Sequence, residues 1–304
     1  MLTKEFGKPA EIGRASWRDY YALTKPRVVQ LLVFTAVIGM LLSTSGMVPW
    51  DILVFGSLGI GLAASSGAAV NHVLDRRFDE IMARTRGRPL PTGRIDERDA
   101  MAFALALGLI GIGMLALLIN ALTAVLTFFA LIGYAVIYTV YLKRTTPQNI
   151  VIGGAAGAAP PLLGWAAVQN EVTLYPLLLF LIIFTWTPPH FWALAISRKS
   201  DYEKAEIPML PVTHGVEVTK TYVLYYTILL VIVTLLPYLT NMSGLLYLIG
   251  AVLLGSGFLY YALVLKLTDN SQIPMKTFHF SISYLVALFT FLLLDHYLPV
   301  LWPG

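Results

Sequence analysis

Residues 52–79 read ILVFGSLGIGLAASSGAAVNHVLDRRFD, and the way this stretch divides decides the fold. From Ile52 to Val70 it is one unbroken run of apolar and small residues, which continues through Asn71 and His72 to Leu74 and is closed by a cluster of ionisable groups. A helix needs roughly 20 such residues to cross a bilayer. A barrel strand would instead alternate over segments of about ten residues. Runs of the same kind fall near 28–45, 100–119, 121–142, 149–168, 174–196, 221–239, 243–265 and 277–297, so the chain is expected to hold nine spans. Composition agrees: of 304 residues 57% are hydrophobic and 12% charged, with a mean hydropathy of +0.73, where a soluble domain carries about 25% charge. The expected class is an all-α polytopic membrane protein with no room for a sizeable water-soluble catalytic domain.

Charge sorts by face. The 21 Lys and Arg all fall in the first 27 residues or in the loops after spans two, four, six and eight, and the alternate loops hold none. The positive-inside rule then predicts a cytoplasmic N-terminus and an external C-terminus. The division expected is a cytoplasmic tail over 1–27, a single transmembrane domain over 28–297 with long cytoplasmic loops at 75–98 and 197–219, and a short external end at 298–304. The tail lacks the apolar core of a signal peptide, and Glu5, Glu11 and Asp19 argue against a mitochondrial presequence. The absence of cysteine excludes disulfides, thiolate metal sites and covalent haem attachment. Long loops in an otherwise minimal membrane protein mark the active face, here the cytoplasmic ends of spans two and six.

Asn71, Asp75 and Asp79 recur every four residues, which places them on one helical stripe about 6 Å apart along the axis. Carboxylates so spaced repel unless a cation joins them. An Asn and two Asp suit a Mg²⁺ that also takes substrate phosphate. The same loop carries Arg seven times and Lys never, with Arg84, Arg86 and Arg88 offering planar forks for phosphate or carboxylate among the stiffening Pro89, Pro91 and Gly93. In the second loop Asp201, Glu203 and Glu206 are acidic but not spaced four apart. His190 follows Pro188 and Pro189 within span six, where freed backbone groups suggest a lined cavity. Its imidazole is either a satisfied buried group or a ligand for haem iron, and the residues alone favour the first. His72 faces about 100° away from Asn71 on the same helix, off the expected metal stripe. The small-residue runs at 56–69 and 153–161 read either as close helix packing or as space for a large flat or long apolar substrate.

Asn71, Asp75 and Asp79, followed by Arg-Thr-Arg-Gly-Arg-Pro-Leu-Pro at 84–91, closely resemble the first aspartate motif of the UbiA superfamily of intramembrane prenyltransferases. Thr24-Lys25-Pro26-Arg27, the 187–195 stretch TPPHFWALA, Asp201-Tyr202, Ile207-Pro208-Met209-Leu210-Pro211 and Phe278-His279-Phe280-Ser281 resemble its haem O synthase branch, the protoheme IX farnesyltransferases. The resemblance runs from about residue 20 to 297. It implies transfer of farnesyl from farnesyl diphosphate to a vinyl group of haem B, with Mg²⁺ as cofactor. It further implies that Asn71, Asp75, Asp79 and Asp201 bind metal and act in catalysis, and that Lys25, Arg27, Arg88 and Lys143 bind diphosphate. His190, Arg84, Arg86 and Lys199 would hold haem. Its expected setting is a bacterial cytoplasmic membrane, among lipid, with haem A synthase or oxidase-assembly proteins as neighbours and no nucleic acid. Two departures stand out: Ala205 lies where a second Asp-x-x-x-Asp would end, and Glu206 lies where the haem branch often has glycine. Competing readings are a UbiA-type enzyme prenylating an aromatic quinone precursor and a secondary transporter. The transporter reading fits poorly, since Asp75 and Asp79 sit at a helix end among arginines rather than at the midplane.

Overall fold

The structure, a computed structural model, describes residues 15–301. Residues 1–14 of the expected tail and 302–304 of the expected external end lie outside the described residues. The chain folds as helices α1 (Trp17–Leu23), α2 (Pro26–Leu42), α3 (Trp50–Leu74), α4 (Arg76–Ile81), α5 (Glu97–Leu118) and α6 (Ala121–Ile132). A π-helix over Gly133–Leu142 continues α6 and leads into the short α7 (Lys143–Thr145). Then follow α8 (Asn149–Ala158), α9 (Pro160–Gln169), α10 (Leu174–Ser197), α11 (Lys199–Lys204), α12 (Leu210–Thr213), α13 (Val216–Leu239), α14 (Leu245–Leu267) and α15 (Ile273–Leu301). Among the described residues eight helical segments are long and apolar enough to cross a membrane. A ninth is counted if α1 and α2, bent by 55°, form one span. The nine runs read from the sequence correspond to these segments one for one. The bent pair shows that the expected tail is in part structured, since α1 occupies 17–23.

Local chemistry sets the boundaries. Pro26 opens α2 at a position where no N–H is needed. Asp96 accepts the Glu97 amide at 2.9 Å to start α5, and Asn120 accepts that of Thr123 at 2.8 Å to start α6. Asn170 closes α9 in the left-handed region.

The helices pack chiefly as α3 on α5, α2 on α9, and α10, α13, α14 and α15 in sequence. The central core joins Leu179, Ile182 and Trp186 of α10 to Leu230, Phe258, Tyr284 and Phe289 of its neighbours. Small residues decide how close the pairs come. A Cβ on Gly111 would stand 2.8 Å from the Gly59 carbonyl oxygen, and one on Gly164 would collide with the Ala36 carbonyl. Close packing therefore accounts for most of both small-residue runs, and Gly157 alone of the second run's glycines faces open space. The outward faces, such as Leu117 at 85% exposure, are the apolar surface expected against lipid.

Both long loops are folded caps. Phe78 and Met82 of the first pack with Tyr202, Ala205, Ile207, Met209 and Leu210 of the second, over Trp192 of α10. On the other side Leu90 and Ile95 join Leu23 of α1 against Ala69, Ala100 and Ala104. The Arg-rich loop is thus held at both ends by apolar anchors beside the end of α3.

Candidate active site

The stripe predicted for Asn71, Asp75 and Asp79 forms, but across a junction. The α-helix α3 ends at Leu74 and α4 starts at Arg76, with Asp75 as the shared capping residue. The hydrogen-bond ladder survives the junction: the Asp75 amide donates to the Asn71 carbonyl at 3.0 Å and the Asp79 amide to that of Asp75 at 2.9 Å. The side chains therefore keep their four-residue spacing, and all three are buried.

Each acid has its own cation, brought by a different element. Lys143 Nζ stands 2.5 Å from Asp75 Oδ2 and Arg88 Nη1 2.7 Å from Asp79 Oδ2. Asn71 binds the cluster together. Its Oδ1 accepts from Lys25, and its Nδ2 donates to Asp75 Oδ2 at 2.7 Å and to Thr139 Oγ1 at 3.3 Å. One cation would relieve the carboxylate pair, and the fold supplies two as side chains. Lys25 itself sits at φ 49°, a left-handed conformation unfavourable for a residue with a Cβ, between Thr24 and Pro26. That turn aims its amine back at α3.

Two members of the cluster were not foreseen. Arg144 donates to the Leu74 carbonyl at 3.0 Å, lies 3.9 Å from Asp75 and covers the Phe78 ring at 4.6 Å. A cation at the last carbonyls of α3 also suits the helix dipole. Thr139 reaches Asn71 from the π-helix, its hydroxyl donating five residues back to the Tyr134 carbonyl. The Lys143-Arg144 pair was a legible signal for the first; a π-helix leaves none in the sequence.

The other candidates fall elsewhere. Arg27, Arg84 and Arg86 are exposed, Lys199 pairs with Glu203 at 3.1 Å, and Asp201 is half-buried with no side-chain partner among the described residues. Tyr202 beside it is buried, which pushes its hydroxyl up, against the opposing pull of Arg84, Arg198 and Arg88. Glu206 is exposed and adopts φ 52°. That backbone explains why glycine suits the position.

Among the described residues no three His, Asp or Glu side chains are grouped to hold a metal. What does fit is the smaller donor set. Asp75 Oδ1 is sealed from solvent without a hydrogen-bond partner, with Arg144 3.9 Å away, on the same stripe as the Asp79 carboxylate and the Asn71 amide. Mg²⁺ commonly takes one or two carboxylates and completes its shell with substrate phosphate and water. His72, also buried, has neither ring nitrogen paired.

A second constellation lies between α10 and α15. The His190 ring stacks between Trp186, with centroids 4.1 Å apart, and Phe278, at 4.6 Å. Its Nδ1 lies 2.7 Å from Ser281 Oγ, and Trp186 Nε1 donates to the Ser281 carbonyl at 2.8 Å. Pro188 and Pro189, inside α10, lack the N–H groups that would bond the carbonyls of Phe184 and Thr185.

A protoheme IX farnesyltransferase of Thioalkalivibrio sulfidiphilus is 61% identical over 286 residues, 94% of this chain and 95% of that one. A solved digeranylgeranylglyceryl phosphate synthase shares the fold with a TM-score of 0.77 at 19% identity, covering 92% of this chain and 98% of that one. A UbiA homologue from Archaeoglobus fulgidus bound to DMAPP and Mg²⁺ does so at 0.61 and 18%, covering 90% and 99%. The UbiA prenyltransferase family matches residues 32–291, so this multi-pass membrane protein belongs to the UbiA prenyltransferase family.

Proposed function

We propose that this chain transfers the farnesyl group of farnesyl diphosphate to a vinyl group of haem B with addition of water, giving haem O for terminal oxidases. The observation that carries the reading is the buried Asn71, Asp75 and Asp79 cluster, with each carboxylate already matched to a cation that an incoming diphosphate can recruit. The name borne by relatives near 60% identity supports the acceptor.

Asn71, Asp75 and Asp79 would hold Mg²⁺, with Asp201 as a further ligand from the second cap. When bound, the metal would offset charge on the leaving diphosphate. Lys25, Arg88 and Lys143, with Arg27 at the rim, bind the diphosphate oxygens and stabilise the negative charge that grows there as the allylic C–O bond breaks. The vinyl π electrons then form the bond to farnesyl C1. The cation left beside the porphyrin takes up water and releases a proton. His190 positions haem, while Arg84, Arg86 and Lys199 are the cations available to its propionates. The N-terminus lies in the cytoplasm, the C-terminus outside, and the setting is a bacterial cell membrane.

Membranes holding the protein, given farnesyl diphosphate, Mg²⁺ and haem B, yield a haem heavier by a farnesyl group and a hydroxyl. Prenylation of an aromatic acid with no such haem product would overturn the proposal in favour of a quinone-precursor enzyme.

A further inference from the structure

Ser281 makes three polar contacts, two of them to α10 and one within its own helix α15. Its carbonyl accepts the Trp186 indole N–H at 2.8 Å, its Oγ lies 2.6 Å from the Phe278 carbonyl oxygen, and the same Oγ lies 2.7 Å from His190 Nδ1. The residue is fully buried, so these contacts do not compete with bulk water.

The hydroxyl has one hydrogen. The Phe278 carbonyl can only accept, and two oxygens at 2.6 Å repel unless that hydrogen lies between them. Ser281 Oγ therefore faces His190 with its lone pairs, and Nδ1 must be the nitrogen that carries the imidazole proton. In the neutral ring this leaves Nε2 as a bare lone pair. Nε2 has no hydrogen-bond partner among the described residues and is not sealed off among the unpaired buried atoms. The flanking Trp186 and Phe278 rings, tilted only 17° and 26° from the imidazole, block rotation out of this plane. One face of each neighbour is thus used for orientation, and the Nε2 edge stays free.

We infer that Ser281 is a positioning residue that fixes the tautomer and ring plane of His190, so that Nε2 presents its lone pair to the iron of haem B. This rests on the reading that His190 holds the haem substrate. A hydrogen bond from the distal ring N–H also raises the basicity of a metal-bound imidazole.

The purified full chain in lipid nanodiscs is titrated with ferric haem B and followed at the Soret band, then reduced for resonance Raman of the iron–histidine stretch. Ser281→Ala, which only removes an oxygen, is expected to weaken haem binding about 10-fold and to shift the stretch. Ser281→Thr, which keeps the Oγ, is expected to retain the native stretch and bind within about threefold. A purely structural serine would leave the stretch unmoved. If Ser281→Ala keeps the native affinity and stretch while His190→Ala loses the Soret change, the role of Ser281 is refuted and the haem reading stands. If His190→Ala titrates as the native protein does, the placement of haem at His190 fails, and the role of Ser281 with it.

Discussion

Asp75→Asn changes one atom and removes one charge at the centre of the cluster. Asp75 is 2% exposed, with Lys143 at 2.5 Å, the Asn71 amide at 2.7 Å and Arg144 at 3.9 Å. A unit charge interacting over about 4 Å at an effective dielectric near 20 contributes about 4 kcal/mol. Neighbouring Asp79 retains part of the field, so about 3–4 kcal/mol of stabilisation should be lost from the metal-bound, diphosphate-leaving state. That corresponds to a fall in kcat/KM of roughly two to three orders of magnitude. The protein should still insert and fold, because the amide keeps the side-chain shape and Lys143, at 16% side-chain exposure, can hydrate its amine. The assay is haem O formation by the purified variant across a Mg²⁺ titration, with monodispersity checked by size exclusion. The half-saturating Mg²⁺ concentration should rise together with the loss of rate. A monodisperse Asp75→Asn protein that keeps more than about a tenth of native kcat/KM at every Mg²⁺ concentration would refute the assignment, since a tenth is only about 1.4 kcal/mol.

Three further outcomes follow from the geometry. Glu206→Gly removes a Cβ from a φ of 52° on an exposed side chain, so the left-handed penalty of about 1–2 kcal/mol is relieved against a smaller entropic cost of glycine; the melting temperature in detergent should rise, and a fall would mean that the carboxylate has a partner worth more than the strain. Gly111→Ala places a methyl 2.8 Å from the Gly59 carbonyl and 2.9 Å from the Ala63 amide, backbone on both sides, so α3 and α5 must separate; a loss of about 1–3 kcal/mol should show as a lower melting temperature, and an unchanged one would refute the close contact. Lys220 holds the Asp269 carboxyl below the usual carboxylate range through a 2.8 Å bond, so this link stabilises the fold above that range and is lost as pH falls through the depressed value; stability measured against pH should lose part of its acid limb in Asp269→Asn, and identical profiles would argue against the pair.

The nine apolar runs were legible because a bilayer forces long, uninterrupted hydrophobic segments, and nothing in the interior overrode that signal. The four-residue spacing of Asn71, Asp75 and Asp79 was legible for the same reason that any helical stripe is. What the sequence hid was the partner of each acid. Lys25, Arg88 and Lys143 lie 46, 9 and 68 residues from the groups they bond, and only tertiary packing brings those segments together. Thr139 lies in a π-helix, whose register differs from the 3.6-residue period on which sequence reading relies, and Arg144 follows directly after it. The small-residue runs were ambiguous in principle. A missing side chain looks the same whether a neighbouring helix or a substrate takes up the space, and only the close approaches of Gly59 to α5, Gly153 to Tyr138 and Gly154 to Thr187 separate the two.

The site residues collect where the backbone leaves regular α-helix. Inside a membrane such departures are costly, because a carbonyl or amide released from the i to i−4 ladder has no water to turn to. Lys25 occupies a left-handed turn between α1 and α2, Asp75 the junction of α3 and α4, Thr139 the π-helix, and His190 directly follows two prolines within α10. At the junction the released Leu74 carbonyl is taken up by Arg144, and in the π-helix the Thr139 hydroxyl adds a bond to the Tyr134 carbonyl. Both groups are members of the cluster or its immediate neighbours. A regular helix commits only its backbone polar atoms along its axis, and Asn71, inside α3, already reaches across the bundle to Lys25 and Thr139. The irregular positions bring Lys25, Lys143 and Arg144 to the end of α3, and there two carboxylates, an amide and four cations gather.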